Sequence, residues 1–166
     1  MDDKRLGFDP SAEAHRNWVT RGWPEPDAMA AVTSITRAHQ ILLRRVDRVL
    51  RPFELTFARY EALVLLHFSR TGALPLGKMG ERLQVHAASV TNAIDRLEAA
   101  GYARRSAHPT DGRAVLAEIT ERGREVVEQA TVALGEIRFG AAGLDDAAAR
   151  MVTDHLTAMR RAAGDF

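Results

Sequence analysis

The 166 residues carry 23 Lys and Arg against 22 Asp and Glu, so overall charge points to no polyanionic partner, and a site for one must come from local clustering. The length fits one domain, and 46% hydrophobic content is enough for a core. With no cysteine, these residues hold no disulfide, thiolate zinc site, cysteine nucleophile or thiol redox sensor.

The opening MDDKRLGFDP is charged and lacks the apolar run of a signal peptide, and residues 1–11 read as a loose tail. No stretch approaches the 18 or so apolar residues that span a bilayer, so the expected compartment is the cytoplasm, with no membrane contact. Residues 12–22, AEAHRNWVTRG, predict a short helix ending at Gly22, which Pro24 and Pro26 then break. Asp27 starts the next helix, which runs to about Leu50 with Val32, Ile35, Leu42, Val46 and Val49 at helical spacing, and Pro52 stops it. Thr56 is the expected N-cap and Gly72 the expected C-cap of a third helix. Its body, with Leu63, Leu66 and Phe68, is apolar nearly all round, which predicts a central buried element.

Two short amphipathic patterns follow. PLGKMGERL places Leu76, Met79 and Leu83 on one face, and AASVTNAIDRLEAAG places Val90, Ile94 and Leu97 on another, with QVH between them. This is the pattern of a helix-turn-helix. Residues 102–106 and 114–119 are strand-like around a Pro-Thr-Asp-Gly turn, which predicts a two-stranded hairpin, or wing. Thr120 caps a long helix that fades by Gly140, and Asp145 and Asp146 favour the start of a last helix with Met151, His155, Leu156 and Met159 on its apolar stripe. The fold class is mainly α: a winged helix-turn-helix with a two-stranded wing, embedded in a helical frame. The expected divisions are a tail and extra short helix over 1–26, a long helix over 27–54, the winged helix-turn-helix lobe over 55–120 and C-terminal helices over 121–166; the resemblance given below implies that the lobe binds DNA and that the flanking helices form a dimerisation frame.

Once Val90, Ile94 and Leu97 are buried, the second helix of the pair presents Ala87, Ala88, Ser89, Thr91, Asn92 and Arg96. Small polar side chains admit close approach to a groove; Ser and Thr bond phosphates or base edges, and Asn can pair with adenine. An ordinary solvated helix face has the same composition. The hairpin distinguishes the two readings, because it brings Arg104, Arg105 and Arg113 into one small element. Between 78 and 113 there are six basic and four acidic side chains, a net of +2. Asp111 can brace the loop or set the angle of Arg113, and Asp95 can meet a wing arginine. An arginine at a hairpin tip beside a reading helix is placed for the minor groove, whose negative potential attracts it.

The run SVTNAIDRLEAAGYARRSAHPTDGRAVLAEITERG, residues 89–123, resembles the signature of the MarR family of bacterial regulators, with Leu97, Glu98, Gly101, Asp111, Arg113, Thr120 and Gly123 on its pattern. The resemblance extends from Leu55 to Gly123. It implies a homodimer with intertwined terminal helices, whose two winged helices sit in successive major grooves of a pseudo-palindromic double-stranded DNA operator. The apolar faces of 27–50 and of the last helix, larger than one small lobe needs, agree with it, and a two-fold dimer of this kind matches half-sites about 34–36 Å apart.

Members of the family are often released from DNA by small aromatic or carboxylate ligands. The N-terminal extension with Trp18 resembles a urate-responsive subgroup whose site also uses an acid on the helix before the helix-turn-helix and an arginine on the reading helix. Here Glu61 stands at the acidic position and Ala93 at that of the arginine, which removes the cation an anionic ligand needs. The candidate ligand residues are Arg16, Trp18, Trp23, Arg59, Glu61 and His67; packed or surface-paired side chains are the alternative for each. The six histidines show no pair at metal-binding helical spacing, so no metal and no cofactor is expected. No glycine-rich phosphate loop and no serine elbow is present, which argues against an enzyme. The reading is a sequence-specific DNA-binding transcriptional regulator, a homodimeric repressor released by a small molecule. The alternative is a winged-helix module for protein–protein contact without a DNA target.

Overall fold

The computed structural model describes residues 6–108 and 114–166. The chain forms two compact units, Met1–Arg45 and Val46–Phe166. In the first, α1 spans Pro10–Thr20, two residues ahead of the sequence expectation. Asp9 caps it, accepting the Ser11 N–H at 2.9 Å, and Pro10 supplies a first residue with its φ already helical. Trp18 and Trp23 meet edge to face with centroids 4.6 Å apart, and Trp18 Nε1 donates to the Pro24 carbonyl at 2.9 Å.

The helix α2 runs Pro26–Leu50. Residues 31–40 are all exposed, Val32 at 61%, whereas Val46 and Leu50 are buried in the core of the second unit. A short 3-10 turn, Arg51–Phe53, follows where Pro52 interrupts the helix. Then come α3, Phe57–Phe68; β1, Ala73–Pro75; α4, Leu76–Leu83; α5, Ala87–Ala99; β2, Ala103–Ala107; β3, Val115–Ile119; α6, Glu121–Glu136; and α7, Asp146–Ala162. None of the described helices is long and apolar enough to cross a membrane.

As its sequence predicts, α3 is central: Tyr60, Ala62, Leu63 and Leu66 are buried, together with Met79 of α4, Val90, Ile94 and Leu97 of α5, and Val127, Ala130 and Leu134 of α6. Two details of this helix differ from expectation. Phe68 is 79% exposed, because it lies at the end of the helix and off the face carrying Leu63 and Leu66. The C-cap is Ser69, and Gly72 instead takes its φ of +72° in the turn into β1, where its N–H reaches the Ser69 carbonyl at 3.1 Å.

The strands form an antiparallel sheet in the order β1-β3-β2: β2 and β3 are the expected two-stranded wing, and β1, which the sequence reading did not predict, joins it along β3. With only three residues, β1 is too short to show a period of two, and its identity comes from pairing Ala73 with Glu118 and Pro75 with Leu116. In the hairpin, Ala103 faces Ile119 and Ala107 faces Val115. Thr120 caps α6 as predicted, accepting the Gly123 N–H at 3.0 Å, while its hydroxyl donates to the Gly101 carbonyl at 2.7 Å. That second bond ties the start of α6 to the turn after α5.

Candidate nucleic-acid interface

The reading helix α5 is built from both ends. At its N-terminus His86 is the N-cap, with Nδ1 accepting the Ala88 N–H at 3.2 Å. At its C-terminus Gly101, with φ of +75°, turns the chain into β2. Val90, Ile94 and Leu97 hold one face in the core, and Ala87, Ala88, Ser89, Thr91, Asn92 and Arg96 are all exposed on the rest. The Thr91 hydroxyl donates to the Ala87 carbonyl at 3.1 Å.

The wing arginines have structural partners. Arg105 points back at α5: Nη1 donates to Glu98 Oε2 at 2.6 Å, Nη2 sits 2.6 Å from Asp95 Oδ1, and its backbone N–H reaches Glu98 Oε1 at 3.0 Å. A longer bond of 3.4 Å runs from Nη2 to the Thr91 carbonyl. Positions 91, 95 and 98 lie on one helical face, so one guanidinium fastens β2 along two turns of α5. The pairing of Asp95 with a wing arginine agrees with expectation; the larger role of Glu98 was not foreseen. Arg104 lies across from Glu118 in the strand register and holds it bidentately, at 3.0 and 2.7 Å. Its hydrogen bond keeps the Glu118 carboxyl below the ordinary carboxylate range. Two of the expected DNA-contacting cations are thus engaged by carboxylates, and Asp111 and Arg113 lie outside the described residues.

The expected ligand residues divide between the units. Arg16, Trp18 and Trp23 belong to the first; Arg16 lines a depression there with His15 and Ser34. In the second, His67 lines an apolar cavity of about 330 Å³ between α3 and α6, with Tyr60, Val64, Phe68, Val127 and Glu128. His67 Nε2 is 3.8 Å from Glu128 Oε1, and its buried Nδ1 has no hydrogen-bond partner among the described residues. Arg59 and Glu61 do not line it: Arg59 reaches the Glu54 carbonyl at 3.4 Å, and burial pushes the Glu61 carboxyl above its ordinary range.

Sequence reasoning passed over two residues. Asp47 accepts the Phe57 N–H at 2.8 Å and so does the capping of α3 expected of Thr56, whose side chain makes no cap bond. Gln84, in the helix-turn-helix turn, is held by residues far along the chain. A carboxylate ten residues before a helix start is a faint signal; the contacts of Gln84 leave none.

Residues 55–115 match the model of the MarR family. Sco5413, a MarR family transcriptional regulator from Streptomyces coelicolor, is 52% identical, and its crystal structure covers 84% of this chain and 97% of its own with a TM-score of 0.77. YhbI of Bacillus subtilis, described as an uncharacterized HTH-type transcriptional regulator, is 33% identical over 121 residues, 73% of each chain. Sco3205 from Streptomyces coelicolor, solved in complex with DNA, shares the fold at 21% identity, with a TM-score of 0.74 over 84% of this chain and 89% of its own. The helix-turn-helix, the wing strands and these likenesses together place the chain in the MarR family, a family of transcriptional regulators and not of enzymes.

Proposed function

We propose that the chain is a cytoplasmic homodimeric repressor that reads a pseudo-palindromic operator with α5 and the wing. The observation that carries this is the outward face of α5, where Ala87, Ala88, Ser89, Thr91, Asn92 and Arg96 are all exposed while the apolar face is buried. A groove accepts such a face closely, and the Sco3205 complex is a DNA-bound protein of the same fold. Arg105 sets the wing stem against α5, Arg104 joins the two wing strands through Glu118, and Arg113 is the minor-groove contact. The lobe 55–120 binds DNA, and 27–54 and 121–166 supply the dimer frame. The exposure of Val32 and Ile35 on α2 and of Met151, Val152 and Met159 on α7 supports that frame, since apolar stripes of this kind need a partner.

A small ligand releases the DNA. The cavity beside His67 favours a neutral aromatic over a carboxylate, because Glu128 is its one charged lining residue among those described and no Lys or Arg lines it. Tenfold release requires about 1.4 kcal/mol of differential binding to the DNA-incompetent state.

The test is a fluorescence titration of the purified protein against the intergenic duplex flanking its gene and a scrambled duplex of equal length, at two salt concentrations. Selective, saturable binding with dimer stoichiometry, weakening steeply with salt, is the expected result. Equal binding to both duplexes that vanishes at physiological salt would favour a protein-contact module, the reading to which the engaged state of Arg104 and Arg105 lends weight.

A further inference from the structure

The turn between α4 and α5 hinges on Gln84, whose backbone sits in the left-handed region at φ 54° and ψ 42°, a conformation that residues other than glycine seldom adopt. Its side chain is fully engaged. Nε2 donates to the Asp165 backbone carbonyl at 3.0 Å and to Asp165 Oδ1 at 2.8 Å, and Oε1 accepts from Arg160 Nη2 at 2.9 Å. Arg160 Nε closes the ring on Asp165 Oδ2 at 2.5 Å. The Phe166 ring lies against the guanidiniums of Arg160 and Arg161, 5.0 and 5.4 Å from its centroid, which restricts where Arg160 can go.

No residue of α7 is fully buried, and this polar ring joins its end to the helix-turn-helix. The ring is exposed, and exposed ion pairs add little to stability. Its consequence is therefore one of position. The N-terminal end of α5 begins three residues beyond Gln84, and base contacts in a groove tolerate less displacement than phosphate contacts do.

We propose that Gln84, Arg160 and Asp165 form a clamp that sets the attitude of the reading helix, making them positioning residues for operator binding; this rests on the DNA-binding reading above. Through the clamp, the placement of α7 in the dimer frame is passed to α5.

The test uses the full chain with Gln84→Ala, Arg160→Lys and the double variant. None of these changes the net charge, so long-range attraction to DNA is conserved. Anisotropy against the operator duplex and its scrambled control is combined with hydrogen exchange over 84–89, melting temperature and oligomeric state. Each single variant is expected to weaken operator binding about five-fold or more. The double variant should be no weaker than the worse single, with scrambled-duplex affinity, melting and dimer state unchanged. Exchange over 84–89 should quicken in both single variants. Unchanged exchange in Arg160→Lys overturns the clamp; additive affinity losses overturn it too, since they mean that Gln84 and Arg160 act independently. If the wild-type protein selects no duplex, the DNA reading falls and the positioning role with it, while the exchange readout still decides whether the ring holds the turn.

Discussion

Two glycines in α6 should respond in opposite directions to the same substitution. A Cβ on Gly123 would lie 2.1 Å from the Tyr102 carbonyl oxygen and 2.9 Å from Ile119 Cγ1. An ordinary carbon–oxygen approach is about 3.3 Å or more, so the helix start would have to retreat by roughly 1 Å from Tyr102, the residue before β2. The obstacle is backbone, and that carbonyl already accepts the Thr120 N–H at 3.0 Å, so no side-chain rotation relieves it. Overpacking of this kind costs about 1–3 kcal/mol or more, whereas replacing glycine by alanine in a helix gains at most about 1 kcal/mol. The clash wins. Gly123→Ala should lower the melting temperature by roughly 2–8 °C for a chain of this size. At Gly135 nothing lies within 4 Å of the added methyl, and only the propensity term acts. Gly135→Ala should raise melting by about 1–4 °C. Thermal unfolding followed by circular dichroism at fixed protein concentration measures both. Gly123→Ala melting at or above the wild-type temperature would refute the close approach of α6 to the Tyr102 backbone.

Three further outcomes follow from the contacts of the DNA-binding unit. Arg105→Ala leaves Asp95 and Glu98 three residues apart on α5 without their shared cation; solvent screens these partly exposed acids, so the stability loss should be about 1 kcal/mol, with faster amide exchange across β2 as the sharper readout. Asp47→Ala should cost about 1 kcal/mol by removing the acceptor at the start of α3, while Thr56→Ala is nearly neutral; the reverse order in chemical denaturation would count against the cap assignment. Glu118 has a folded pKa held below its unfolded value by Arg104, so its contribution is complete above the unfolded value of about 4.3 and is lost as pH falls through the folded one. Glu118→Gln should therefore differ from wild type in melting temperature at pH 7 and converge with it in acid; a difference that persists unchanged into acid would show that the pair is not responsible.

Much of this architecture was legible in the linear order of residues because it depends on local periodicity. Val90, Ile94 and Leu97 recur at helical spacing, so burying them exposes Ala87, Ser89, Asn92 and Arg96 whatever the neighbours are. The caps at Asp145 and Thr120 and the turn at Gly101 are likewise chemistry within a few residues. The cavity beside His67 was only half legible: the histidine was named, but its neighbours Glu128 and Val127 come from a helix 60 residues away.

What the tertiary structure decided is where the long charged side chains go. Arginines 104 and 105 are adjacent and look equivalent in sequence, yet strand alternation sends one across the sheet to Glu118 and the other back to Asp95 and Glu98. Register decides this, and register depends on burial of Ala117 and Ile119, not on the arginines. The capping of α3 by Asp47, the strand Ala73–Pro75 and the hold of Asp165 on Gln84 share that origin. Hydrogen bonds between residues distant in sequence leave no periodicity behind; only the folded backbone brings such partners within reach of each other.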